Sequence, residues 1–336
     1  MLGVRQMRTM ARSATFPAGL IVVAMIFGST AFAVTCTTQA QMTPALRTEL
    51  EQASLHLGQL VQKGDVAAVK SGTLAKVASQ FEGIASGVQS ASPLMQGATL
   101  TVDQMYALDA VDLKQEQETQ FFCGVGGTPL AVSLSFQQLP QGEYAFVILH
   151  SSGVAKPQQV SFVLAKDGGW KLAGLYVRPM LFAGRDGVWY WSQAREYAKK
   201  KQNWNAYFYY QTAQFLLAPV EFLSSPNLEK LQNEQGAIAP PGLPGVQPLV
   251  LTVNSQSWNI TSLRTDASLG GLDLVIHFQA TGELDPVASR KRAIEVMKAM
   301  LSEHAELREA FHGLWVYADV AGQAPYAVEL PMAQIQ

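Results

Sequence analysis

Only two cysteines, Cys36 and Cys123, occur in 336 residues, and they form no Cys-x-x-Cys pair. The chain has no Gly-x-Ser-x-Gly elbow, no Walker sequence and no His-Glu-x-x-His, so the common local signatures of hydrolase, nucleotide and helical zinc chemistry are missing. Gly124-Val125-Gly126-Gly127 is followed by Thr128-Pro129 and a strand pattern, where a phosphate loop requires a helix. His304 and His312 stand eight residues apart, about two helical turns, and read as surface or hydrogen-bonded histidines. No metal and no cofactor are therefore expected. Dense basic clusters are limited to Lys199-Lys200-Lys201 and Arg290-Lys291-Arg292. Three of the 24 basic residues and none of the 26 acidic ones fall in residues 1–33, so the remainder carries a net charge of about −5. That balance excludes nucleic acid as an expected partner, since a phosphate backbone calls for a basic stripe. After the first 34 residues no long apolar run recurs, which excludes a membrane bundle.

The amino terminus is where charge and hydropathy are most organised. Arg5, Arg8 and Arg12 precede an uncharged run from Phe16 to Val34 that contains the small-x-small triplet Ala31-Phe32-Ala33. This is the pattern of a signal peptide over residues 1–33, with cleavage after Ala33 or, alternatively, after Ala40. The expected location is secreted or periplasmic; an uncleaved segment anchoring the chain in the membrane is the alternative. Lipidation of Cys36 is disfavoured by Val34-Thr35 before it. With cleavage after Ala33 a Cys36–Cys123 disulfide can form in an oxidising compartment; a single buried thiol at Cys123 is the other reading.

Residues 44–180 change character midway. Leu46, Leu50, Leu57, Leu60 and Val61, then Val66, Val69, Val77 and Phe81, recur at helical spacing as far as about Val88. Strand patterns follow at Val132–Phe136, Tyr144–Leu149, Val160–Leu164 and Trp170–Val177, with turns at Leu139-Pro140-Gln141-Gly142 and Asp167-Gly168-Gly169 predicted to close antiparallel hairpins. Helices followed by a strand meander predict an α+β domain with a curved antiparallel sheet wrapped round a helix. This order, and the closing segment Val160 to Pro179, resembles the NTF2-like, cone-shaped superfamily. That resemblance implies a pocket between helix and sheet, for which Asp103, Tyr106, Asp109, Asp112 and His150 are the polar candidates. An Asp converging with His150 there could act as an acid/base pair, which keeps a hydrolase- or isomerase-type enzyme as the alternative function.

Between Trp189 and Pro219, small residues and aromatics recur at spacings that predict a helical hairpin turning near Lys201-Gln202-Asn203. Ala194, Tyr197, Ala206, Tyr210 and Ala213 stand in the order of a tetratricopeptide repeat, which the stretch resembles in one copy. With a short helix begun at Ser225-Pro226, this region covers 187–235. Trp189, Tyr197, Trp204 and Tyr207 are its candidate partner-binding residues if exposed; packing of the flanking domains onto the hairpin is the other reading.

Residues 236–248, with Pro240, Pro241, Pro244 and Pro248, predict a stiff linker. Residues 249–336 predict a small ββαββ domain: strands at Leu249–Val253 and Leu272–Phe278, an amphipathic helix opened by Asp285-Pro286, and a terminal hairpin. The resulting expectation is an exported, non-catalytic binding or scaffold protein of two α+β domains joined by a hairpin. Its expected partner is another envelope protein or a small apolar ligand.

Overall fold

The computed structural model describes residues 34–336 except 127, 129, 254, 283 and 284. Residues 1–33, where the sequence predicts a signal peptide, lie outside the described residues. The organisation is mixed α+β.

A short strand, β1 (Thr35–Thr38), leads into α1 (Pro44–Lys63). Thr43 starts α1 by accepting the Leu46 amide, Pro44 fits its first turn, and Gly64 ends it at a φ of +70° that a side chain would resist. Three shorter helices follow: α2 (Val66–Ser71), α3 (Ala75–Ala78) and α4 (Glu82–Met95). The chain then runs through β2 (Thr99–Ala110), β3 (Gln117–Cys123), β4 (Val132–Leu139), β5 (Gly142–Ser152), β6 (Gln158–Lys166) and β7 (Trp170–Pro179).

Strands β1, β2, β5, β6 and β7 form one sheet in that order, antiparallel throughout. Leu50, Leu57 and Val61 of α1, with Val88 and Met95 of α4, cover one face, against Ala145, Val147, Leu149, Phe162 and Leu164. Tyr144, Phe146 and Ile148 point the other way, onto Phe121 and Leu134. β5 is therefore buried on both faces, which is why Tyr144–Leu149 reads as one unbroken apolar run.

The turn at Leu139–Gly142 does not close a hairpin, contrary to the sequence expectation. β4 pairs with β3 and with a two-residue strand, β8 (Leu223–Ser224), to form a separate three-stranded sheet. β5 is already paired on both edges, by β2 and β6, so β4 crosses to the second sheet, where Leu134 packs with Phe121 and Phe146. Asp167–Gly169 does close the β6–β7 hairpin, with Gly168 at φ +66°.

The helical hairpin consists of α5 (Gly187–Lys199) and α6 (Asn203–Leu217), turning at Lys201. Ala194, Ala206 and Ala213 are fully buried. A Cβ on Gly187 would lie 2.6 Å from Leu217 Cγ and 3.1 Å from the Ala213 carbonyl oxygen, so the closest helix approach requires glycine there. α7 (Pro226–Ala237), capped by Ser225, packs against α6. Residues 238–248 carry no helix or strand.

The carboxy-terminal part contains β9 (Leu249–Val253), β10 (Gln256–Asp266), β11 (Asp273–Gln279), α8 (Pro286–Glu303), α9 (Leu307–Ala310), β12 (Gly313–Asp319) and β13 (Tyr326–Pro331). Three strands precede α8, and the short α9 follows it, correcting the expected ββαββ to βββααββ. The additional strand is β10, whose one fully buried side chain is Ile260 and whose register shifts between Ile260 and Ser262, so no period of two survives in its sequence. The sheet is mixed: β11 and β12 run parallel because α8 carries the chain back across the sheet.

The hairpin and this sheet share a core. Tyr190, Trp204, Phe208, Tyr209 and Leu216 belong to one buried cluster with Leu274 and Ile276 of β11, Val296 and Met300 of α8 and Leu314 of β12.

Candidate functional site

The polar residues expected to converge in the amino-terminal domain are distributed by strand register. Asp103 sits at a bulge where β2 slips between Val102 and Gln104, and His150 lies opposite Thr101. His150 Nε2 is 3.9 Å from Asp103 Oδ2 and 3.3 Å from Gln159 Oε1. With side chains 28% and 43% exposed, the His150–Asp103 contact is a solvent-screened surface pair. Asp109 pairs across to Glu143, seven residues along β5 from His150, which is about 23 Å of strand. Its carboxylate accepts the Val111 amide, and Asp112 is exposed. Asp109 and Asp112 thus do not meet His150.

Asp103, Gln104 and Tyr106 line an open cleft of about 920 Å³. Its other walls are Thr38–Gln41, Arg47 of α1, and the β3–β4 connection with Val125, Thr128 and Leu130. Val125 and Leu130 are 68% and 84% exposed on these walls. Burial raises the Tyr106 phenol pKa, and the nearby Asp103 charge adds to it. Among the described residues, Arg47 Nε is shielded from solvent without a hydrogen-bond partner. β1 covers only Tyr106–Asp109 of β2. Among the described residues no strand pairs with the opposite edge of Thr99–Met105. A disulfide between Cys36 and Cys123 ties β1 to β3 beside this cleft, with the Cα atoms 5.1 Å apart.

Most aromatic residues of the hairpin pack inward, Phe215 at 40% exposure being the exception. Trp204 is buried and stacks on His304 at 3.9 Å between ring centres. Tyr197 and Trp189 pack on Tyr209 at 4.9 and 6.2 Å, and Tyr207 meets Phe208 edge-on at 5.5 Å. The Tyr209 hydroxyl donates to the Ala310 carbonyl at 2.7 Å, and burial pushes its pKa far upward. These four candidate residues therefore reach the carboxy-terminal core rather than forming a contiguous exposed surface.

Sequence reasoning missed the face of the carboxy-terminal sheet turned away from α8. His277 stacks on Tyr317 at 4.6 Å, and Trp315 on Tyr317 at 5.5 Å. His277 Nδ1 lies 2.9 Å from Asp319 Oδ2. At the start of β11 and β12, Asp273, His312 and Glu329 come together, because the register aligns Asp273 with Gly313 and Gly313 with Pro331. Burial raises the Asp273 carboxyl pKa against the lowering effect of His312, and it raises that of Glu329 together with the charge of Asp273. No signal in the sequence links three residues so far apart; the parallel β11–β12 and antiparallel β12–β13 pairings do.

No family model matches this chain, and neither the curated proteins nor the solved structures compared with it give a match. What the fold and sites define is an α+β protein with an open cleft on its amino-terminal sheet.

Proposed function

We propose that this is an exported, non-catalytic binding protein that takes an extended polypeptide segment of another envelope protein along the uncovered edge of β2. The observation that carries this reading is that β1, four residues long, leaves most of the twelve-residue β2 without a second neighbour. An uncovered strand edge presents backbone donors and acceptors to an incoming strand, while side-chain contacts beside it select the sequence. Val125 and Leu130 offer apolar contacts, and Arg47 and Asp103 offer opposite charges, on the walls of the same cleft.

Export is supported by the pattern of residues 1–33 and by the disulfide, which persists in oxidising compartments. The helix layer over a five-stranded antiparallel sheet supports the NTF2-like reading of residues 44–180, with the β3–β4–β8 sheet as an addition to it. Buried alanines at the α5–α6 contact support the tetratricopeptide-like reading of the hairpin, acting here as packing.

The test is capture from envelope extract on the immobilised chain, beside a Val125→Asp/Leu130→Asp variant that alters two exposed side chains. A protein retained by wild type and lost from the variant is expected. Equal retention by both, or no retention by either, would contradict binding in this cleft.

A further inference from the structure

We propose that Asp273, His312 and Glu329 form a binding site for a divalent transition-metal ion of the zinc type, at the start of β11 and β12. One ligand atom from each residue lies within 4.8 Å of the other two. Asp273 is fully buried; its Oδ1 is 3.1 Å from His312 Nδ1, the Gly313 backbone amide also donates to its carboxylate, and among the described residues its Oδ2 has no hydrogen-bond partner. Glu329 Oε1 is likewise shielded and unpartnered. Asp266 adds a further negative charge near Asp273. A buried carboxylate such as Asp273, facing the half-buried Glu329, is costly unless a cation or further hydrogen bonds compensate its charge.

Two glycines keep the space open. A Cβ on Gly313 would lie 2.7 Å from the Leu330 carbonyl oxygen, 2.9 Å from Glu329 Oε1 and 3.0 Å from Asp273 Oδ1, so glycine there serves the β12–β13 approach as well as the space between the carboxylates. A Cβ on Gly271 would come within 2.4 Å of His312 Cβ and Cγ, so glycine there admits the imidazole. The His312 side chain is half exposed, which gives an ion a route in from solvent and leaves room for water. One imidazole nitrogen with two carboxylate oxygens suits zinc or manganese better than calcium or magnesium, which favour all-oxygen shells. Three protein ligands leave at least one coordination position for water or an added ligand.

Calorimetric titration of the metal-stripped chain with zinc chloride tests this. One zinc per chain is expected. His312→Ala and Gly313→Ala should each weaken binding by more than the roughly 10–100-fold that loss of an outer-shell partner costs. His277→Ala, which removes the other histidine–aspartate pair of this sheet, should leave zinc binding unchanged. His312→Ala alters a half-exposed side chain and keeps the experiment decisive if Gly313→Ala fails to fold. Wild type binding zinc no better than His312→Ala, or His277→Ala losing binding equally, would overturn the site.

Discussion

Glu234 holds α7 to the hairpin through several side chains at once. Its carboxylate accepts Arg195 Nε and Nη2 at 2.7 and 2.8 Å, Trp191 Nε1 at 2.8 Å and the Tyr210 hydroxyl at 3.3 Å. The Arg195 hydrogen bonds come first in holding its pKa below the ordinary 4.5. A depressed carboxylate stabilises the fold above its unfolded pKa, and that contribution is lost as pH falls through the folded value. Because the two side chains are 40% and 26% exposed, screening limits the pair to about 1 kcal/mol. Glu234→Gln is expected to lower stability by about that amount at pH 7. In denaturant titrations across pH, its deficit should shrink as pH drops below 4.5. None of this network was legible in the sequence, because it joins residues 39 and 43 positions apart. Tyr144–Leu149 was legible for the opposite reason: burial on both faces writes itself into consecutive residues.

Elements with local punctuation could be read directly. Asp285-Pro286 and Ser225-Pro226 start α8 and α7 as expected, each with the cap side chain accepting an amide three residues on. β2 and β10 escaped because each carries a bulge that breaks alternation, and the cleft beside β2 escaped with it. β1 matters more than its four residues suggest, since the disulfide spans 87 positions of sequence. Closing a loop of that length contributes up to about 4–5 kcal/mol in the chain-entropy account. Cys36→Ser/Cys123→Ser should therefore melt well below wild type, with reduced wild type matching the variant. Cleavage after Ala40 would remove β1 and Cys36 together, so the proposed export is expected to yield a chain whose intact mass begins at Val34. A mass beginning at Gln41 would contradict that.

At the scale of the molecule, residues Ala33–Gln336 form one compact unit, and the proline-rich stretch 238–248 does not separate two cores. The sequence marked a boundary there because it lacks periodicity, but the aromatics upstream complete their burial against β11, α8 and β12 downstream. A chain ending at residue 248 would leave Trp204, Phe208 and Tyr209 without that cover. It should aggregate or bind a hydrophobic dye where the full chain does not. The functional account rests on the uncovered edge of β2, and amide hydrogen exchange over Thr99–Met105 examines it most directly. Outward-facing amides in that stretch are expected to exchange fast in the free chain and to become protected in the captured complex. Protection already present in the free chain, or none gained in the complex, would contradict binding by strand addition.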